Sequence, residues 1–136
     1  MANLSNYTEG LIATWLAGGA APTQLTTVFL EIYSALPAED GTGGTSVMTA
    51  LTGSANRKTL TTSSSFTATN SVVKNSLIEL TTTAGACNIG GFAIWTLASG
   101  GSMLYYGSLL VNNAQVAIGA GDTVRFDVDA IVLTVA

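Results

Sequence analysis

A chain of 136 residues with four Lys or Arg, eight Asp or Glu and no histidine has few groups for moving protons or holding metals. The missing histidine excludes Ser-His-Asp and Cys-His nucleophilic arrangements, and four basic residues against a net charge of −4 exclude the basic stripe that phosphate binding needs. With 48% hydrophobic and 9% charged residues, the composition fits one structural domain, residues 1–136, whose neutral outside becomes an inter-subunit contact.

The first predicted element is a helix over about residues 5–17. Asn6 and Glu9 stand three apart, as in a capping box, with Ser5 as a rival cap. Tyr7, Leu11, Ile12, Trp15 and Leu16 recur at helical spacing, and Gly18-Gly19 and Pro22 end the segment. A helix this short is not stable alone and has to dock on its own sheet or on a neighbouring subunit.

Strands are predicted from about residue 26 onward. Thr27–Tyr33 alternates, with Val28, Leu30 and Ile32 on one apolar face and Phe29, Glu31 and Tyr33 on the other. Pro37–Thr45 reads as an exposed, glycine-rich acidic loop without the Lys-Ser/Thr ending of a phosphate loop. The Thr- and Ser-rich stretch 47–70 predicts weak or irregular strands and a long excursion, with Phe66 as its large anchor. Asn75–Thr83 reads as a strand. Phe92–Leu97 and Met103–Tyr106, joined by Ser99-Gly100-Gly101-Ser102, form the clearest hairpin. Gln115–Ile118 is a short strand before the turn Gly119–Asp122.

One last strand is expected from Thr123 to about Val135. Its even positions Val124, Phe126, Val128, Ala130 and Val132 are apolar. Its odd positions start polar and end with Ile131, Leu133 and Val135, so either a bulge switches the face or the end is covered on both sides. The predicted fold class is all-β: an antiparallel β-sandwich, jelly-roll-like, with one short N-terminal helix.

Candidate chemistry is sparse. Asp127 and Asp129 share a strand face and are hard-cation ligand types, but Arg125 on that face favours a plain ion pair. Among the strand acids Glu31, Glu79, Asp127 and Asp129, no spacing builds a glycosidase pair. Trp95, Tyr105 and Tyr106 are candidates for a sugar platform, against the plainer reading of cross-strand packing. Cys87 is alone and reads as a small buried hydrophobe. No catalytic residue, cofactor, metal, nucleic-acid partner or membrane span is expected. The N-terminus lacks the pattern of a secretory signal, so folding in a cytoplasm is expected.

Several segments, in order, resemble a family of small tailed-phage virion proteins, often labelled tail fibre proteins and including capsid cement or decoration proteins. They are Leu4-Ser5-Asn6-Tyr7, Thr27–Tyr33, Glu39–Thr45, Gly91–Trp95, Gly100–Gly107 and Gly119–Asp122. Where the family has a Gly-Tyr-Ala-Arg stretch, this chain has Gly53-Ser54-Ala55-Asn56-Arg57 and lacks the aromatic. The resemblance implies a jelly-roll-like sandwich present in many copies on a phage particle. The leading expectation is a decoration protein on the capsid exterior, folded in the host cytoplasm, a homodimer or homotrimer bridging subunits of the major capsid protein. The alternative is a tail fibre or baseplate-associated protein contacting the host surface. The expected contacts are Tyr7, Leu11 and Trp15 on the helix and Ile131, Leu133 and Val135 on the last strand, with charge reversal at Leu133 abolishing binding without unfolding the domain.

Overall fold

Alternation along the chain becomes thirteen short strands and three helices in the computed structural model, which describes residues 2–69, 72–80 and 84–134. The elements are β1 (Ala2–Leu4), α1 (Asn6–Leu16), β2 (Thr27–Ala35), β3 (Thr45–Ser46), α2 (Met48–Thr52), β4 (Lys58–Thr61), α3 (Thr62–Ser65) and β5 (Phe66–Thr69). They continue with β6 (Val72–Asn75), β7 (Ile78–Leu80), β8 (Cys87–Ile89), β9 (Gly91–Trp95), β10 (Met103–Ser108), β11 (Val116–Ile118), β12 (Val124–Phe126) and β13 (Val132–Thr134).

The large sheet has the order β3-β2-β9-β10-β1-β13-β6-β5, and β4 pairs with β2 on the same side as β3. All pairs in it are antiparallel except β1 with β13. One helical turn, α3, joins β4 to β5, so the two ends of the strand order are chain neighbours and the sheet curls back on itself. Across the curl, Phe66 on β5 meets Tyr105 on β10 edge to face at 6.3 Å. Two ribbons, β7–β12 and β8–β11, lie outside this sheet. Their Ile78, Leu80, Ile89, Val124 and Phe126 enter the same core as Leu30, Ile32, Phe92 and Ile94, with Phe126 edge to face on Phe92. The fold is all-β and sandwich-like, as the sequence pattern predicts.

β2 is covered on both faces. Val28, Leu30 and Ile32 point into the main core, as their alternation requires. Phe29 and Tyr33 join Ala93, Trp95, Met103 and Tyr106 in a second cluster on the opposite face. The predicted β9–β10 hairpin forms, with Trp95 opposite Met103. A register shift between Met103 and Tyr105 then brings Tyr105 opposite Ile94.

Two features differ from expectation. The Thr-rich stretch contains α2, whose Met48 and Leu51 are fully buried. β4 pairs with β2 only as far as Leu30 and β3 resumes at Tyr33, and α2 fills the gap. There the Ile32 N–H donates to Met48 Sδ at 3.4 Å, and the Ile32 carbonyl accepts from the Val47 N–H at 3.0 Å. α2 and the four-residue α3 add two single-turn helices to the one predicted.

The expected last strand is two strands in different sheets. β12 pairs with β7, and β13 pairs with β6 and β1. Between them the chain turns, with Asp129 at φ 63°. Buried Asn75 holds the turn: its Nδ2 donates to the Asp127 carbonyl at 2.9 Å and its Oδ1 accepts from the Ile131 N–H at 2.7 Å. Its backbone carbonyl accepts from the Asp129 N–H at 3.0 Å. The turn switches the inward positions from Val124 and Phe126 to Ile131 and Leu133, so neither a bulge nor outside cover is needed. Replacing Asn75 by Ala strands a buried N–H and a carbonyl and should cost about 2–4 kcal/mol in denaturant unfolding. An unchanged midpoint would refute the clamp.

Candidate functional site

The helix start is built by Ser5. Its Oγ accepts from the Thr8 N–H at 3.3 Å and donates to the Met103 carbonyl. The Ser5 N–H and Thr8 Oγ1 both donate to the Leu104 carbonyl, at 3.0 and 2.7 Å, and the Asn6 N–H donates to the Glu39 carbonyl at 3.2 Å. Ser5, rather than Asn6, is therefore the cap. A short hydroxyl can cap the helix and bond β10 at once. Glu9 adds favourable charge to the first turn.

Past that anchor the helix leaves the body. No residue of α1 is buried, Leu11 and Ile12 are half-buried, and every residue from 13 to 24 is exposed. Tyr7 is 44% exposed, Trp15 52% and Leu16 75%. The helix closes with the Ala17 N–H on the Ala13 carbonyl and the Gly19 N–H on the Thr14 carbonyl, with Gly18 at φ 87°. The helix face named from sequence is thus on the surface. The late strand face is not: Ile131 and Leu133 are 2% and 5% exposed within the chain's own core. Their apolarity is explained by intrachain packing, which corrects their assignment as contacts. Val135 lies outside the described residues.

A polar cluster that sequence reasoning missed lies on the second face of β2. Arg57 Nε meets Glu31 Oε2 at 2.6 Å, with both side chains about 10% exposed. The Tyr33 hydroxyl donates to the same oxygen at 2.6 Å. The guanidinium lies 3.8 Å from the Trp95 ring centroid, and its Nη1 donates to the Leu97 and Gly100 carbonyls at 2.8 and 2.5 Å. Arg57 thus ties the central strand to the β9–β10 turn. The alternation of Glu31 with Phe29 and Tyr33 is the signal that this acid sits on a covered face. Trp95 Nε1 is buried with no hydrogen-bond partner among the described residues. Burial first, and then the Glu31 carboxylate, push the Tyr33 hydroxyl well above its ordinary value of 10.0; burial alone does the same for Tyr105.

The other candidate groups are dispersed. Asp127 pairs with Arg125 at 2.6 Å and Asp129 with Lys74 at 3.0 Å, on a turn and not on one strand face. No group of three or more His, Cys, Asp or Glu that could hold a metal occurs among the described residues. Trp95, Tyr105 and Tyr106 build no platform: Trp95 is under Arg57, Tyr105 packs on Phe66, and Tyr106 belongs to the second cluster. Cys87 is half-buried. No described helix is long and apolar enough to cross a membrane. One open pocket, of about 400 Å³, lies at the seam of the curled sheet, where Val28, Phe66, Ala68, Val73 and Tyr105 line it.

Family comparison matches residues 3–134 to Podophage GP4 fiber I protein gp80. The chain belongs to this tailed-phage fibre protein family. The match runs from within β1 to the end of β13, so helix, large sheet and both ribbons belong to one family unit. No curated protein matches the chain.

Arg57→Ala leaves Glu31 buried without its cation and should cost about 3–5 kcal/mol in chemical unfolding. Arg57→Lys should not restore it, because one ammonium cannot stack on Trp95 and reach two carbonyls together. Because the folded state favours neutral Tyr33 and Tyr105, their contribution to stability is complete below about pH 10 and is lost as pH rises beyond it. Unfolding midpoints taken on both sides of that pH should show the fall, and Tyr33→Phe should flatten it. Leu133→Asp should now unfold the domain rather than merely weaken binding, as circular dichroism would report.

Proposed function

We propose that the protein is a non-enzymatic structural subunit of a tailed-phage tail fibre or its attachment region, present in several copies and associating with itself as a dimer or trimer. The family match over residues 3–134 carries this reading. It favours the fibre alternative over a decoration protein bridging the major capsid protein on the capsid exterior.

The chemistry agrees. The buried acid Glu31 is committed to Arg57 and Tyr33, leaving no free carboxylate pair around it. Arg57, Lys74 and Arg125 are held in ion pairs, which fits a protein that does not bind nucleic acid. The large exposed aromatics among the described residues, Tyr7 and Trp15, sit on one helix and not in a groove. That arrangement suits assembly better than stacking of host sugars. No cofactor or metal is assigned.

Copies per purified virion, counted by quantitative mass spectrometry against the major capsid protein, with antibody labelling in electron micrographs, test the location. A small, symmetric copy number with label at the tail is expected. Near one copy per capsid subunit with label over the head would return the protein to capsid decoration, and absence from the virion would end both readings.

A further inference from the structure

α1 and the seam pocket are two apolar features left open among the described residues, and they complement each other. The arm from residue 13 to 24 is exposed throughout, carries no charged residue and presents Trp15 and Leu16 to solvent. An eleven-residue helix is marginal without a packing partner, and here the anchored end is the first turn, while the bulky apolar residues occupy the last. The pocket is lined by Gln24, Leu25, Val28, Thr62, Ser63, Phe66, Thr67, Ala68, Val73 and Tyr105, without a single charge. It opens where the curled sheet stops short of closing, beside the short edge strand β5, which carries no Lys, Glu or Pro to discourage pairing.

We infer that the seam pocket of one copy receives the Trp15–Leu16 end of the arm of a second copy. Three observations select that occupant. Both surfaces are uncharged, so neither an acidic nor a basic partner finds a complement, whereas a second copy finds an apolar match. The pocket volume of about 400 Å³ falls in the range that accepts a side chain the size of an indole with its neighbour. Arm and pocket lining together present about twenty residues per chain, near the roughly 20–30 a side of a stable interface. Because the Trp15–Leu16 end of the arm and the seam are different surfaces, two-way exchange closes a dimer and one-way passing builds a ring or a file of subunits.

The inference rests on reading the chain as a multicopy structural subunit, and it is tested on the purified full chain. In a Cys87→Ser background, Leu16→Cys and Ala68→Cys chains are mixed and treated with a short bifunctional maleimide. Both positions are exposed, so the fold is retained, and circular dichroism checks it. A cross-linked dimer is expected from the mixture and not from either chain alone. In sedimentation velocity, Trp15→Ser and the pocket-filling Ala68→Trp should each weaken self-association by roughly tenfold or more, and Ala68→Ser should not. A chain that stays monomeric at every concentration, or self-association indifferent to Trp15→Ser, overturns the contact. So does a chain carrying both cysteines that cross-links to itself when dilute, which would show the arm filling its own seam. Any of these results leaves the fibre reading standing if tail labelling is positive. Head labelling removes the fibre reading without touching an observed arm-to-seam cross-link.

Discussion

The constraint on which the rest of this structure depends is that β2 is buried on both faces while carrying Glu31 in its middle. A nearly uncharged chain can cover one face of that strand with Val28, Leu30 and Ile32 against β9 and the ribbons. The other face puts a carboxylate among Phe29, Tyr33 and Trp95 and needs a cation delivered to the site. Arg57 supplies it from a loop far along the chain, and the same guanidinium bonds the turn of the β9–β10 hairpin. One ion pair therefore sets where the central strand, the 53–57 loop and the hairpin turn lie relative to one another. Replacing both partners with apolar groups could match it in stability. What the pair adds is position, because a planar guanidinium satisfies four acceptors or faces only in one arrangement.

A second polar device does similar work at the other end of the fold. The Asn75 amide accepts and donates across the turn between β12 and β13, and that turn sends two successive apolar segments into different sheets. In both places a buried polar side chain with its bonds satisfied decides a change of direction that apolar burial alone leaves undetermined. The outer surface, by contrast, is mostly Thr, Ser, Asn and Ala, with little to repel a second copy. That contrast between a well-specified inside and a permissive outside fits a subunit of a larger assembly.

Much of this was legible in the chain. Period-two alternation located β2, β9 and β10, and the Gly-rich turn joined the latter two, because a strand with one buried face has to alternate. The helix boundaries followed from spacing and from Gly18-Gly19. Its cap did not, since Asn6 and Ser5 are equivalent in sequence and only the nearby Met103 and Leu104 carbonyls select Ser5. α2 was hidden because Met48 and Leu51 are two apolar residues in a polar stretch, and their burial depends on a gap between β3 and β4 that no local pattern encodes.

Composition and order alone determined that this is a small, charge-poor, β-rich chain with one amphipathic helix near its start. Those properties are summed over residues or repeat at short range, so a linear reading captures them. Tertiary structure alone decided which apolar residues remain outside. Ile131 and Leu133 look like Trp15 and Leu16 in a hydropathy pattern, yet the first pair fills the core and the second stands in solvent. The difference lies in a turn held by Asn75 and a helix anchored only at its first turn, contacts between residues dozens of positions apart whose partners no neighbouring residue can announce.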